Sequence, residues 1–373
     1  GGAAARGGDP ARARVVRGQG WSVGRSGGAS GAGLRGLFLR GGLHHELAGY
    51  AEAQRVYALA ESTARAAGRP WAPYGFDGRV MGALTAYQRG LWDDALAMAD
   101  YSGQSPPPLA EALLNAVKLL VAAGRGDQTA LEYFERSRLL WEREGLLALV
   151  AGAAAIELYG ARGDIDAMFT AHDDVVANAT RIWQEFFTGR IRLSALVLGQ
   201  LASAAATAAV ADREMLMGRV ADLVGAVAGV RRRIDARKQP LGPEGLAWLA
   251  RGNAEHLRLR WLTGTDEPDG EDLVSAWEET VAAFTAMSHP FETARSQARL
   301  ASAYRAMGRT TEARATAEAA RKTARRLGAE PLLAELRQVG PSRGREADAR
   351  RATAPTPRET EVPGLVAWGG RTA

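Results

Sequence analysis

Cysteine is absent from the 373 residues of this chain. Its absence excludes a disulfide framework, a thiolate metal site and a cysteine nucleophile. An excess of charge is also lacking, because 47 Lys and Arg residues face 42 Asp and Glu residues, for a formal net charge of +5. A charge this small for the chain length permits a polyanionic partner without requiring one.

Long, strongly apolar runs are lacking too. The least polar stretch, residues 195–211, is rich in alanine and contains Gln200, Ser203 and Thr207. A membrane-spanning helix needs about 20 strongly apolar residues, so this stretch predicts a buried core helix instead. The first residues contain no charged segment followed by an apolar one, which argues against a secretory signal. We therefore expect a cytoplasmic protein that has no membrane partner.

Motifs for cofactors and metals are few. A G-x-G-x-x-G match occurs at residues 31–36, but a dinucleotide site needs a β-strand just before it, and residues 22–28 are not strand-like. A phosphate-binding G-x-x-x-x-G-K-[ST] motif does not occur in the sequence. His44 and His45 are adjacent, and adjacent side chains on a helix point about 100° apart. We expect no catalytic residue, no metal and no cofactor in this chain.

The composition divides the chain into four segments. Residues 1–36 are mainly Gly, Ala, Arg and Ser, and we predict that they are disordered because they offer little apolar surface to bury. Residues 37–338 have apolar positions at helical spacing and prolines only at boundaries, which predicts helices throughout. Residues 339–354 are typical of a flexible basic linker, and residues 355–373 form a separate terminal segment.

The clearest predicted helix covers residues 311–327. Its apolar positions recur at i, i+4, i+7, i+11 and i+14, Gly328 suits a left-handed cap, and Pro331 prevents continuation. A second helix is predicted after Pro290. The apolar stripe of the first helix is Ala313, Ala317, Ala320, Ala324 and Leu327, and that of the second is Phe291, Ala294, Ala298, Ala301, Tyr304 and Met307.

A glycine turn followed by a small residue recurs along the chain. The two helices above are joined at Gly308, with Ala313 five residues later, and Gly90 and Ala95 repeat the arrangement. Looser versions occur at Gly49 with Ala53 and at Gly163 with Ala167. This pattern resembles the tetratricopeptide repeat, whose period is about 34 residues, and about 300 helical residues imply roughly six to eight helix pairs. We predict an all-α fold, a tetratricopeptide-like solenoid.

The tryptophans are spread through these helices. We expect them to be packing residues, some of which line the concave groove of the solenoid as ligand anchors. They are Trp71, Trp92, Trp141, Trp183, Trp248, Trp261 and Trp277.

The terminal segment has the pattern of a helix start. Thr356 and Glu359 form a capping box, and Pro357 suits a first helical position. An apolar face then begins at i, i+3 and i+4, at Val362, Leu365 and Val366. The pattern predicts the start of one short helix.

This segment resembles the opening of the helix-turn-helix domain of LuxR-family transcriptional regulators. The family pattern runs Leu-Thr-x-Arg-Glu-x-Glu-Val-Leu-x-Leu-Val-Ala-x-Gly. The resemblance implies that these residues form the structural start of a DNA-binding domain. The residues that match in register are Thr356, Arg358, Glu359, Glu361, Val362, Leu365, Val366, Ala367 and Gly369.

The order of the parts is similar to that of the large ATP-binding subgroup of this family. In that subgroup an ATP-binding domain precedes the repeats, and the recognition helix would follow residue 373. The resemblance implies that the chain is a fragment, that ATP binds only to a missing N-terminal domain, and that the rest of the helix-turn-helix binds DNA. The repeats would then receive a protein or small-molecule effector.

Two alternatives stay open at this point. Pro363 stands where the family has a leucine inside a helix. A proline in a helix interior destabilises the helix by about 3 kcal/mol. This departure favours a freestanding repeat scaffold that mediates protein–protein interactions and does not bind DNA. The second alternative is an enzyme with an active site in the groove of the solenoid, although no residue in the sequence is typical of such a site.

Overall fold

The computed structural model describes residues 29–209, 212–238 and 240–338. This part of the chain is helical apart from its turns and contains no strand, which confirms the predicted all-α class. The predicted linker at residues 339–354 and the terminal segment at residues 355–373 lie outside the described residues, as do residues 1–28 of the predicted disordered segment.

The helices of the first part of the chain are joined mostly by short turns. A single 3-10 turn at Trp141–Arg143 precedes α7. The helices are α1 (Ala29–Glu46), α2 (Tyr50–Ala66), α3 (Gly75–Gln88), α4 (Trp92–Ala99), α5 (Pro108–Arg125), α6 (Ala130–Arg138), α7 (Gly145–Ala161) and α8 (Ile165–Trp183).

The second part of the chain continues in the same way. Prolines occupy the first turns of α12 and α14, where a missing N–H costs nothing. The helices are α9 (Gly189–Ala205), α10 (Arg213–Met217), α11 (Val220–Ala236), α12 (Pro243–Thr263), α13 (Gly270–Ala286), α14 (Pro290–Ala306), α15 (Thr310–Leu327) and α16 (Glu330–Gln338).

Helix α1 begins at Ala29, before the boundary predicted at residue 37. Leu34 and Phe38 are buried one turn apart, and the ring of Phe38 lies 5.9 Å from that of Tyr57 in α2. Tertiary contact therefore extends the helix into a glycine-rich stretch that has a poor intrinsic helix propensity. The G-x-G-x-x-G match at residues 31–36 lies within this helix and forms no phosphate-binding loop.

The predicted core helix at residues 195–211 is confirmed over most of its length. It corresponds to α9, in which Leu196, Leu198 and Leu201 are buried. No helix in the described part of the chain is long and apolar enough to cross a membrane.

The two predicted apolar stripes are confirmed, with one exception. All five stripe residues of α15 are buried, and so are those of α14 up to Tyr304. The prediction for Met307 was wrong, because α14 ends at Ala306 and Met307 is 39% exposed in the turn.

Three of the four predicted glycine turns have a left-handed glycine, and the fourth, near residue 49, does not. Gly90, Gly163 and Gly308 have φ values of 70°, 75° and 75°, in the left-handed region that glycine adopts without strain. At the looser version near residue 49, the left-handed residue is Ala48, with φ of 58°, whereas Gly49 has φ of −77°. The turn is therefore one residue earlier than the glycine suggested.

Most helices pack on the next helix in the chain, and several also pack on the next but one. For example, α5 contacts α3 and α7, and α9 contacts α7 and α11; α9 also packs on α12, three helices further along the chain. The array also meets itself, because α16 packs on α5 although the two helices are far apart in sequence. We call the contact between α3–α5 and α14–α16 the closure.

Aromatic rings form the centre of the closure. Trp92 stacks on Tyr87 with ring centroids 5.6 Å apart and meets Phe291 of α14 edge-on at 4.9 Å. At its margin the Nε–H of Arg125 donates to the main-chain oxygen of Leu327 at 3.3 Å. Burial of three large rings and a hydrogen bond to a helix end thus join α3–α5 to the last three described helices.

Two glycine-to-alanine changes separate backbone strain from packing. A Cβ would meet nothing within 4 Å at either Gly308 or Gly225, but Gly308 is left-handed and Gly225 lies inside α11. We expect Gly308→Ala to lower the free energy of unfolding by about 1–2 kcal/mol. Gly225→Ala should raise it by about 0.5–1 kcal/mol. Urea denaturation measures both, and effects of the same sign would contradict the turn geometry.

Candidate functional site: a buried network of ion pairs

Three charged side chains meet in the middle of the helical array. The Nη1 of Arg251 donates to Glu292 Oε2 at 2.7 Å, and its Nε donates to Glu255 Oε1 at 3.0 Å. The residues Arg251, Glu255 and Glu292 are only 2%, 0% and 4% exposed. Charges this deeply buried are found almost only where they are paired and hydrogen-bonded, as they are in this case.

Helix α12 brings two of these groups into the core because they lie on its apolar face. Ala247, Arg251, Glu255 and Leu259 are all buried and recur at every fourth residue. An Arg and a Glu four residues apart on such a stripe are a recognisable indication of a buried ion pair. Arg251 and Glu255 were nevertheless not among the residues predicted from the sequence.

Further arginines extend the network to neighbouring helices. Arg258 donates to Glu255 Oε2 at 3.0 Å, and Arg295 donates to Glu292 Oε1 at 3.1 Å. Arg295 also pairs with Glu157 of α7. The network therefore joins α7, α12 and α14, three helices that come from distant parts of the chain.

Helix α16 is tied in through Arg299. Its Nη1 donates to Glu335 Oε2 at 2.9 Å, and its Nε lies 3.4 Å from Glu255 Oε1. The complete network, which we call the interior network, balances four arginines against four glutamates. Its members are Glu157, Arg251, Glu255, Arg258, Glu292, Arg295, Arg299 and Glu335.

The arginines keep the central carboxylates ionised. Burial alone would raise the pKa of Glu255, but the charges of its arginine neighbours, Arg251 first, outweigh burial and lower that pKa to about 2. Burial opposes ionisation of Glu292 in the same way, and Arg295 and Arg251 bring its pKa down to about 2. Because both carboxylates are ionised and held by guanidinium groups, neither is free to act as a general base.

Buried ion pairs contribute little net stability, because desolvation of the charges offsets their attraction. Removal of one partner is costly, since it leaves a charge buried without compensation. The interior network therefore restricts which arrangement of α7, α12, α14 and α16 is allowed, since any slip between these helices would break several charged hydrogen bonds.

Four rings that contact one another in series, which we call the ring wall, include His289, the residue before the helix that carries Glu292. Trp248 of α12 lies 5.3 Å from Phe284, Phe284 lies 5.9 Å from His289, and His289 lies 6.3 Å from Tyr87. The four rings thus connect α12 and α13 to α3 through the start of α14. The prediction that tryptophans pack in the core is confirmed for Trp92, Trp141, Trp248 and Trp277, all of which are buried.

His289 caps α14 from within this wall. Its Nδ1 accepts the main-chain N–H of Glu292 at 3.5 Å, so the proton of the neutral ring lies on Nε2. Burial is the main cause that lowers the pKa of His289 to about 4, with Glu292 opposing it. The imidazole is therefore neutral at physiological pH.

A surface groove of about 580 Å³ lies apart from the interior network, between α6 and α8. Trp141 and Arg138 line one side, and Asn178 and Arg181 line the other. Leu139, which also lines the groove, is 82% exposed. The groove combines an apolar contact with charges of both signs, but it gathers no set of residues that performs chemistry.

None of the candidate site residues named in the sequence analysis belongs to the interior network. His45 Nε2 donates to Gln88 Oε1 at 2.7 Å, and the His45 ring packs on Tyr50, so His45 has structural partners. No group of three His, Asp or Glu side chains in the described part of the chain is arranged to hold a metal ion. The predicted DNA-binding residues all lie outside the described residues; they are Thr356, Arg358, Glu359, Glu361, Val362, Leu365 and Val366.

The chain was also compared with known proteins. No model of a protein family matches it, and no curated protein matches it at a significant level.

Loss of a central arginine tests the interior network. We expect Arg251→Met to lower the free energy of unfolding by about 3–5 kcal/mol, because Glu255 and Glu292 stay buried without one partner. Arg136→Met is the matched control, since Arg136 pairs with Glu132 on the exposed face of α6. The control should lose far less in a urea denaturation series. Equal losses would contradict a buried network.

The neutral state of His289 predicts a pH dependence of stability. An imidazole in the unfolded chain titrates near 6.5, so between pH 6.5 and about 4 the unfolded chain binds the extra proton. The free energy of unfolding should therefore fall as pH drops through this window.

His289→Asn keeps a side chain that caps a helix but cannot titrate. Burial raises the pKa of Asp77 to about 7, which acts in the opposite direction, but both proteins contain Asp77. The difference between the two pH curves from thermal or urea unfolding therefore isolates His289. A parallel pair of curves would contradict its burial in the neutral form.

Proposed function

We propose that this chain is part of a DNA-binding transcriptional regulator, in which helical repeats receive an effector and a C-terminal helix-turn-helix binds DNA. The observation that carries the proposal is the terminal segment, where nine residues from Thr356 to Gly369 match the LuxR pattern in register. A capping box followed by an apolar face is the physical start of a helix, independent of the resemblance.

The helical part supports the role of an effector-receiving region. Its turns at Gly90, Gly163 and Gly308 are all left-handed, and consecutive helices pack as pairs. We interpret these pairs as degenerate tetratricopeptide-like repeats that form a solenoid. Such arrays bind partners or ligands on their inner surface, which is the role proposed for this part of the chain.

The interior network supports the proposal because it includes the last described helix before the terminal segment. Glu335 of α16 is bound by Arg299 at 2.9 Å, and α16 is the last described helix before residues 339–373. A ligand that changes the network would therefore change how α16 is held against α14 and α5. The position of the DNA-binding segment relative to the repeats would then change as well.

The partners and location follow from this role. DNA is bound by the remainder of the helix-turn-helix, and a protein or small molecule binds the repeats. ATP is expected only in a further N-terminal domain, and the protein would act in the cytoplasm.

A freestanding interaction scaffold is the second candidate. Pro363 favours it, because a proline inside the terminal helix would remove a hydrogen bond and strain the helix. The groove between α6 and α8, with the exposed Leu139, is a surface that a protein partner could cover.

The test compares residues 1–373 with the product of the complete open reading frame that contains them. Both proteins are incubated with fragmented genomic DNA, and the bound fragments are sequenced and confirmed by gel shift. We expect the complete product to select a DNA sequence and residues 1–373 alone to select none. If the complete product binds no specific sequence, the proposed regulator is contradicted and the scaffold is favoured. Specific binding by residues 1–373 alone would contradict the proposed division of roles.

A further inference from the structure

The outward face of α1 is an exposed apolar stripe, which we call the α1 stripe. Leu39, Leu43 and Leu47 follow one another at every fourth residue and are 39%, 47% and 57% exposed. Leu47 directly follows α1, and its N–H still donates to the main-chain oxygen of Leu43 at 3.3 Å. Ala32 and Gly36 continue the stripe toward the start of the helix, and both are exposed. Single exposed leucines are normal, but a row of three with a turn between them forms a contiguous patch of the kind found at contact surfaces.

The opposite face of α1 is used within the chain. Leu34 and Phe38 are buried, and α1 packs on α2 and α3. The approach to α2 is close, since a Cβ on Gly41 would lie 2.5 Å from the ring of Tyr57. On the outward side, a Cβ on Gly36 would meet nothing within 4 Å. The α1 stripe is therefore a second apolar face, and the described part of the chain leaves it uncovered.

The spacing and the sizes of the stripe residues suit a pair of helices. The first four members are separated by 4, 3 and 4 residues, as the a and d positions of a coiled coil are; they are Ala32, Gly36, Leu39 and Leu43. Small residues lie at one end of the stripe and leucines at the other. Two such helices in antiparallel orientation set the leucines of one against the small residues of the other. A parallel pair would set small residues against small residues and leave a void.

The charges beside the stripe also distinguish the two orientations. At 100° per residue, Arg35 and Glu46 lie on the same side of the stripe and Arg40 lies on the other side, and all three are exposed. In an antiparallel pair the same sides of the two helices face each other, so Arg35 of each copy faces Glu46 of the other. In a parallel pair opposite sides face each other, and Arg35 would meet Arg40. Charge and volume therefore both favour an antiparallel pair of identical helices.

We propose that two copies of this chain associate through the α1 stripe, with their α1 helices antiparallel about a two-fold axis. The axis passes between Leu39 and Leu43, so that Leu39 of one copy packs on Leu43 of the other. A contact of this kind uses one patch twice and requires no other partner. The inference is independent of the proposed regulatory function, because it concerns a surface of the helical part alone.

The size of the surface sets the expected strength of association. Helix α1 has 18 residues and is about 27 Å long, so its face is smaller than the roughly 800 Å² per partner of a standard interface. We therefore expect a dissociation constant in the micromolar range. Sedimentation equilibrium of the full chain over about 1–300 µM measures it. A chain that stays monomeric over this range, as it would if residues 1–28 or another protein cover the stripe, would overturn the proposal.

Two leucine substitutions locate the contact. Leu43 and Leu59 are both 47% exposed, but Leu59 lies on α2, outside the stripe. We expect Leu43→Glu to weaken association by about tenfold or more, because it places a carboxylate in an apolar contact. Leu59→Glu is the matched control and should associate like the unmodified chain. Both variants should keep their helix content by circular dichroism, and equal effects on association would overturn the proposed surface.

Exchange of the flanking charges tests the orientation. Arg35→Glu and Glu46→Arg each set like charges against each other across the contact, and each should weaken association about fivefold. An equimolar mixture of the two variants should associate like the unmodified chain, because every facing pair in the mixed dimer is again opposite in charge. A mixture as weak as the single variants would overturn the antiparallel pair. This measurement leaves the apolar residues unchanged, so it stays decisive if Leu43→Glu does not fold.

Discussion

The ion pair between Arg251 and Glu292 is the constraint on which the arrangement of the helices depends. Both groups are buried, so each requires the other, and the two helices that carry them cannot shift without leaving a charge unpaired. Glu255, Arg295 and Arg299 extend this requirement to α7 and α16. Apolar packing alone would tolerate several arrangements of alanine-rich helices, whereas this set of charges is satisfied by one.

The closure and the interior network support each other. Trp92 and Phe291 hold α14 against α4, and the same helix carries Glu292 and Arg295 into the network. The chain approaches closely at this contact, since a Cβ on Gly90 would lie 2.7 Å from Pro290. A glycine is therefore required at that turn for two reasons: its left-handed backbone and the space taken by its neighbour.

Much of the fold could be predicted from local pattern. The all-α class, the stripes of α14 and α15 and the left-handed turns at Gly90 and Gly308 follow from spacing and from backbone sterics, which act within a few residues. Met307 and Gly49 were misjudged because the end of a helix depends on which residue adopts the left-handed conformation. The helical start at Ala29 was missed because Leu34 and Phe38 gain stability only from contact with α2.

By itself, the sequence determined the all-α class of the fold and the apolar faces of its helices. It also determined the resemblance of the segment from Thr356 to Gly369 to the LuxR pattern. Each of these depends on residues that are close together in the chain. Only the tertiary structure decided that Glu157, Arg251, Glu292 and Glu335 belong to one network of ion pairs. The physical reason is that an isolated helix leaves such charged side chains in water. Their pairing becomes obligatory only once distant helices close around them and remove the solvent.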